Sequence, residues 1–434
     1  MKIVSAFPDP IPVASSVDFP TFFDKVINEY ESNIALIDQE ANISYKFSEL
    51  RFLINRFSIF LEKLPLKQGD IVATLLGNSA EFIALFLACC KQRLVFTPLN
   101  PNYHRREIET YLLKVSPQYL IVEDNLYNES AYLPSIVKSI NSVYRINELM
   151  LFTSPTGERD GNYELEPFDN SATAVIFFSS GTSGFPKPTK ISHKALITQI
   201  NIVRCIEENA IQDFLVLGCS DVSYGVMPYC HSGGLMATLM MIAQGAKVLI
   251  NRKFNEDSFY QHIEKYKVTT LTLVPAVMCL FLNSEKTKNY DLTSIKNIFF
   301  GSSNIHVDVL DRLKKKFTHI TNYIHLYGLT EANIVFMMPN IEAAKKKITS
   351  VGVLMPGVQC RIISISPNDL DSDVETLEEG ELYIKSDMVM NGYLNEEDNA
   401  NAFDEGNWLK TGDIVSVDRD GFFYIKGIVY SHEK

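Results

Sequence analysis

Apolar residues recur along this chain with two periods that alternate. Leu50, Leu53, Ile54, Phe57 and Leu61 fall at helix spacing behind Phe47-Ser48-Glu49 and give one buried face. Ile71-Val72-Ala73-Thr74-Leu75-Leu76 follows as a short β-prone run, Ser79 is placed to cap an apolar helix over residues 81–90, and Leu94-Val95-Phe96-Thr97-Pro98 is strand-like again. Residues 106–115 then read as a helix and Tyr119-Leu120-Ile121-Val122 as a strand. Strands separated by helices of this length predict a parallel, doubly wound sheet between about residues 43 and 124. Residues 125–170 are less regular and are expected to join two sheets. The alternation resumes with the buried run Val175-Ile176-Phe177-Phe178, a helix capped by Ser192 through Leu196, Ile200 and Val203, strands at residues 247–250, 270–274 and 298–300, and a helix over residues 257–266. Beyond Ser350 the pattern turns to short strands, such as Glu381-Leu382-Tyr383-Ile384-Lys385, which predict a small antiparallel β subdomain with a solvated acidic loop over residues 368–379.

Bulk properties narrow this picture. At 434 residues the chain is long enough for roughly two to four structural units. With 46% hydrophobic and 21% charged residues it is expected to fold throughout rather than remain disordered. A net charge of -12 argues against a general nucleic-acid or acidic-membrane surface, while still allowing one small anionic ligand held by local groups. The seven cysteines show no C-x-x-C pair or zinc-like spacing, which fits a reducing compartment. Pro8, Pro10 and Pro12 precede any long apolar run, so no secretory signal is expected, and the run from Phe82 to Cys90 stops at Lys91, short of membrane-spanning length. The ending His432-Glu433-Lys434 is not the peroxisomal tripeptide address, and the expected location is intracellular, in the cytoplasm.

Candidate chemistry clusters at five places. Ser179-Ser180-Gly181-Thr182-Ser183-Gly184-Phe185-Pro186-Lys187 leaves the end of the strand that begins near Val175. Its amides, hydroxyls and single ammonium suit phosphate oxygens, although the stretch also fits a solvated Ser/Gly turn, and it is not a Walker A loop because Lys187 lies between two prolines. His231 stands before Gly233-Gly234 at the start of a long apolar helix, where an anion can sit, although a lone histidine is more often a structural or surface residue. Gly301-Ser302-Ser303-Asn304 follows a strand with side chains small enough for a flat ring to lie against backbone, and Tyr327-Gly328-Leu329-Thr330-Glu331 offers an aromatic for stacking and a carboxylate for magnesium, or else a strand edge with an exposed acid. In Thr411-Gly412-Asp413 the glycine reads as a turn, and the aspartate is either a turn former or an acceptor for a ribose diol.

The order of these motifs resembles that of the adenylate-forming (AMP-binding) superfamily, which includes acyl-CoA synthetases, 4-coumarate-CoA ligases and firefly luciferase. The phosphate loop, the Y-G-x-T-E motif and the T-G-D motif all match, and Asn100-Pro101-Asn102-Tyr103, Val274-Pro275 and Asn391-Gly392-Tyr393-Leu394 are similar to the ligase and luciferase branch. The likeness runs from about residue 43 to 424. It implies an α/β fold of two packed, mostly parallel sheets with helices plus a distorted β-barrel, all within one large N-terminal domain over residues 1–424. It also implies a reaction: a carboxylate attacks the α-phosphate of Mg-ATP, pyrophosphate leaves, and the acyl-adenylate is captured by coenzyme A. By the resemblance Ser179, Ser180, Gly181, Thr182, Ser183, Gly184 and Lys187 form the phosphate loop. Ser302 and Ser303 fall where adenine is held, Tyr327 stacks on it, His325, Leu326 and Gly328 are further nucleotide-binding positions, Thr330 binds the α-phosphate, Glu331 binds magnesium, Asp413 binds the ribose and His231 borders the acid pocket. The substrate is expected to be a small fatty or aromatic acid.

Three departures from the family pattern stand out. His325-Leu326 replaces the usual Gln-Gly and is expected to narrow the acyl tunnel, and Pro188-Thr189 replaces Gly-Val and is expected to stiffen a mobile flap. Where the family has Y-I-V-D-R-x-K, this sequence has Tyr424-Ile425-Lys426-Gly427-Ile428-Val429-Tyr430, so residues 425–434 read as a divergent hinge stub without the catalytic lid domain. The expected function is acid activation, here truncated and impaired; the alternative is a non-catalytic nucleotide- or acyl-binding paralogue.

Overall fold

Three sheets share one continuous core. The computed structural model describes every residue except 1, 8, 10, 11, 13, 153–167, 180–185, 209–213, 304, 367–376 and 430–434. The first sheet has six strands in the spatial order Ser142–Arg145, Tyr119–Val122, Ile71–Leu75, Val95–Leu99, Thr173–Ser179 and Lys187–Ser192. Its first five strands are parallel and the last is antiparallel to its neighbour. The run of strands and helices expected between residues 43 and 124 is therefore observed. The irregular stretch after it supplies a strand of its own, Ser142–Arg145, which pairs with Tyr119–Val122 and so extends this sheet at its edge.

The second sheet has nine strands: Val353–Leu354, Asn333–Met337, Asn322–Leu329, Asn297–Phe300, Thr270–Leu273, Val222–Gly225, Lys247–Ile250, Ile34–Asp38 and Ile43–Lys46. Its six central strands are parallel, and an antiparallel pairing closes each flank. The hairpin at Ile34–Lys46 was not expected to join this sheet, because its partner Lys247–Ile250 lies about 200 residues away and no local signal marks such a pairing.

Helices fill the space between the sheets. Ala80–Lys91 is buried nearly all round, which is why its sequence is apolar without a polar stripe, and the Ser79 hydroxyl accepts the Phe82 amide at 3.0 Å to start it. Phe19–Glu29 and Phe47–Glu62 pack beside it, and His193–Glu208 and Ser232–Ala243 extend the same cluster to Val248, Phe299 and Ile324 of the nine-stranded sheet. Ser192 Oγ accepts the Ala195 amide at 3.0 Å, as the capping pattern predicted. Separate clusters cover the far faces: Phe259, Tyr260, Met278 and Leu310 on the nine-stranded sheet, and Tyr111, Leu112 and Leu133 on the six-stranded one.

The third sheet is antiparallel, as expected beyond Ser350, but its first member is Lys2–Val4, followed by Gln359–Ser364, Gly380–Lys385, Leu409–Val417 and Phe423–Ile428. Among the described residues it is an open sheet of five strands and no closed barrel is found, because Lys2–Val4 and Phe423–Ile428 remain its two edges. Most of the expected acidic loop lies outside the described residues. Among the described residues no helix is long and apolar enough to cross a membrane.

Candidate active site

The strands Thr173–Ser179 and Lys187–Ser192 form a hairpin whose register sets Ser179 opposite Lys187. Ser180, Gly181, Thr182, Ser183 and Gly184, which connect them, lie outside the described residues. Pro188 is tolerated here because Lys187–Ser192 is an edge strand in its own sheet, where a missing N–H breaks no central ladder. That edge is covered by residues 391–394. Lys190 N donates to Gly392 O at 3.0 Å, Asn391 N to Lys190 O at 2.8 Å and Leu394 N to Pro188 O at 2.8 Å. The flap position expected to be stiffened by Pro188-Thr189 is thus a strand, with Thr189 bridged to Tyr393.

Tyr327 comes from the nine-stranded sheet, at a register shift between Tyr327 and Gly328 where Asn322–Leu329 turns back into Asn333–Met337. Its hydroxyl donates to Asp413 Oδ2 at 2.5 Å, joining two sheets and two motifs that are 86 residues apart. Burial pushes the Tyr327 phenol well above its ordinary value, and the neighbouring Asp413 carboxylate adds to the rise. Burial also raises Asp413, against the lowering effect of the Tyr327 hydrogen bond.

Thr411-Gly412-Asp413 was expected to form a turn; it is instead inside the strand Leu409–Val417. Gly412 takes a positive φ of 73° there, opposite a register shift in the neighbouring strand, and its amide donates to Glu381 Oε1 at 3.2 Å. A glycine serves a bulge as well as a turn, so the sequence alone did not separate the two. The bulge carries Asp413 towards Tyr327, and the Thr411 hydroxyl accepts the Asp413 amide at 3.1 Å.

Thr330 and Glu331 lie in the turn after Tyr327. Ser232 Oγ donates to Thr330 Oγ1 at 3.3 Å, which brings the start of the helix Ser232–Ala243 to this turn. His231 is the residue that caps that helix. Its side chain is exposed, and desolvation by the surrounding protein lowers its pKa from the ordinary 6.5. Glu331 is buried, and its Oε1 accepts the Tyr393 hydroxyl at 3.0 Å. Lys187 Nζ lies 5.0 Å from the centre of the Tyr393 ring and 3.5 Å from Asp398 Oδ1. Ser179 Oγ is buried near the Tyr393 hydroxyl and, among the described residues, meets hydrogen-bond geometry with no group. A buried hydroxyl without a partner among the described residues, opposite Lys187 in the hairpin, fits a ligand that brings its own acceptors.

Ser302 and Ser303 are exposed after the strand Asn297–Phe300, and Gly301 sits so close to Leu326 that a Cβ would lie 2.6 Å from the Leu326 carbonyl oxygen. His325 was expected to contact nucleotide, but its side chain faces the core: Nδ1 bonds to Ser350 O at 3.0 Å and the ring stacks on Phe300 at 4.7 Å. Only its backbone is left to face a ligand. Among the described residues no three His, Cys, Asp or Glu side chains gather as a metal cage. The residues that sequence reading missed are Tyr393, Asp398 and Ser232. Tyr393 stood in a family-like motif, but nothing local to that motif reveals contacts to Glu331 and Lys187.

Comparison with known proteins identifies the family and the fold. The family model described as "AMP-binding enzyme" matches residues 23–394. The probable 4-coumarate-CoA ligase 3 of Dictyostelium discoideum is 30% identical over 429 residues, which cover 94% of this chain and 76% of that protein. Among solved structures, the luciferase-like enzyme from the nonluminescent mealworm Zophobas morio superposes with a TM-score of 0.83 over 99% of both chains at 24% identity. A long-chain-fatty-acid-CoA ligase from Archaeoglobus fulgidus gives a TM-score of 0.84 at 21% identity, over 98% of this chain and 87% of that one.

Proposed function

Because the chain belongs to the AMP-binding enzyme family, we propose that it activates a small carboxylic acid with ATP and passes the acyl group to coenzyme A. The observation that supports this most directly is the hydrogen bond from Tyr327 to Asp413, which joins the Y-G-x-T-E and T-G-D segments from separate sheets in one place. In this reading residues 1–424 form the adenylation domain, with a small β subdomain from about residue 350. Tyr327 presents a ring face to adenine, Ser302 and Ser303 leave room beside it, and the Asp413 carboxylate accepts from the ribose hydroxyls. Lys187 contacts the triphosphate, Thr330 donates to the α-phosphate, and His231 borders the space for the acid.

The chemistry is displacement at phosphorus. A carboxylate oxygen of the acid bonds to the α-phosphorus as the bond to pyrophosphate breaks; the coenzyme A thiol then bonds to the acyl carbon as AMP leaves. Such a reaction asks the protein for positioning and charge neutralisation rather than for a covalent nucleophile. In this reading Lys187 and Thr330 hold the oxygens that gain charge. Magnesium, when bound with the nucleotide, supplies positive charge to the phosphates, and Glu331 is the residue that would hold it. The acid is read as fatty or aromatic.

Titration calorimetry with AMP, ATP and Mg-ATP tests the nucleotide site, and a hydroxamate-trapping assay over fatty and aromatic acids tests activation. Nucleotide binding in the micromolar to low-millimolar range with one class of acid trapped is the expected result. Absence of nucleotide binding to folded protein would overturn the reading. A second reading, nucleotide or acyl binding without turnover, draws support from residues 424–429: they contain neither an acid nor an arginine, and Lys426 to Ile428 continue the strand Phe423–Ile428. Nucleotide binding with no acid trapped would select it.

A further inference from the structure

We infer that Tyr393 is a positioning residue that sets both charged groups facing the triphosphate, Glu331 through its hydroxyl and Lys187 through its ring. This rests on the nucleotide-site reading above and adds to it a residue that the motifs did not assign. Tyr393 lies on a connecting segment that is bonded to both large sheets: Met390 N donates to Glu331 O at 2.8 Å on one side, and Leu394 N to Pro188 O at 2.8 Å on the other.

The side chain repeats that bridge. Its hydroxyl donates to Glu331 Oε1 at 3.0 Å, which fixes the rotation of a buried carboxylate that otherwise has several orientations open to it. The ring face is 5.0 Å from Lys187 Nζ, within the range of a cation-π contact, and Asp398 holds the same ammonium from another direction at 3.5 Å. Tyr393 is itself held at the backbone: Asn399 Oδ1 accepts its amide at 2.7 Å and Asn399 Nδ2 donates to its carbonyl at 3.1 Å. One braced aromatic therefore sets the separation between a lysine on the six-stranded sheet and a carboxylate on the nine-stranded one. A ligand bearing several phosphates senses that separation; one bearing a single phosphate senses it less.

Two substitutions separate the two contacts. Tyr393→Phe keeps the ring and removes the hydroxyl, and Tyr393→Leu removes both. Calorimetry is run with AMP, with ATP in chelator and with Mg-ATP, alongside thermal melts of each variant. The expected result for Tyr393→Phe is unchanged affinity for AMP and for metal-free ATP, within twofold, and a loss of about tenfold in the tightening that magnesium gives. Tyr393→Leu is expected to lose affinity for metal-free ATP as well, by about tenfold, with AMP still within twofold. An unchanged magnesium effect in Tyr393→Phe would overturn the inference. So would an equal loss for AMP and ATP, which is what a merely structural role produces. If the unsubstituted protein binds neither AMP nor ATP, the nucleotide reading itself fails before any variant is made, and this inference falls with it.

Discussion

Acid reaches this fold through His193. Its ring is buried, its Nδ1 accepts the Phe19 amide at 3.1 Å, and burial lowers its pKa to about 4, with Arg93 adding to the fall and Asp18 opposing it. The unfolded chain takes up this proton near pH 6.5 and the folded chain only near 4, so stability is fully present above 6.5 and is lost as pH falls between those values. The loss from this residue is on the order of 3 kcal/mol in all, about 2 of it by pH 5. Urea unfolding at pH 7 and pH 5 is expected to show that difference in the parent and a much smaller one in His193→Gln. Asp413 is the residue at which nucleotide binding is most directly tested. Asp413→Ala removes charge-assisted bonds worth about 1.5–3 kcal/mol each, so AMP affinity is expected to fall by roughly tenfold to a hundredfold. Unchanged affinity would return Asp413 to a structural partner of Tyr327. The sequence made Asp413 visible because it sits in a short motif with its own chemistry. It hid Tyr393, whose significance lies wholly in what two distant segments bring to it.

At the scale of elements, periodicity was the readable signal and pairing was not. The helix Ala80–Lys91 was legible from its apolar run and from Ser79, and the cap is as expected. Ser79→Ala leaves a buried Phe82 amide without its acceptor, so a loss of about 1–2 kcal/mol is expected, seen as a lower melting temperature with AMP affinity unchanged. The strands from Ile71 to Val122 were legible for the same reason. Lys2–Val4 was not, nor was the place of the hairpin Ile34–Lys46 in its sheet, because each is set by pairing with a strand hundreds of residues away. The Gly412 bulge and the inward direction of the His325 side chain were not legible for a related reason. Local sequence states what a residue tolerates, and the neighbouring strand decides which of the tolerated states is used.

Across the whole molecule, the net charge of -12 leaves little reason for phosphate polymers to gather on the surface, and binding to a random single-stranded oligonucleotide is expected to be undetectable at physiological salt while AMP binding persists. Fluorescence anisotropy with a labelled oligonucleotide checks this. The edge strand Lys2–Val4 makes a second expectation. Removing residues 2–7 uncovers the edge of Gln359–Ser364, costing on the order of 2 kcal/mol and leaving a strand free to pair between molecules, which light scattering during a thermal melt detects. That same strand sets a clock on biosynthesis. Lys2 pairs with Arg361, about 360 residues downstream, so at roughly 5–20 residues per second Lys2–Val4 waits roughly 20 to 70 s after leaving the ribosome before its partner emerges. Through that interval Ile3 and Val4 are open to chaperones and to wrong partners, and the antiparallel sheet, together with Asp413 on it, is completed only late in synthesis.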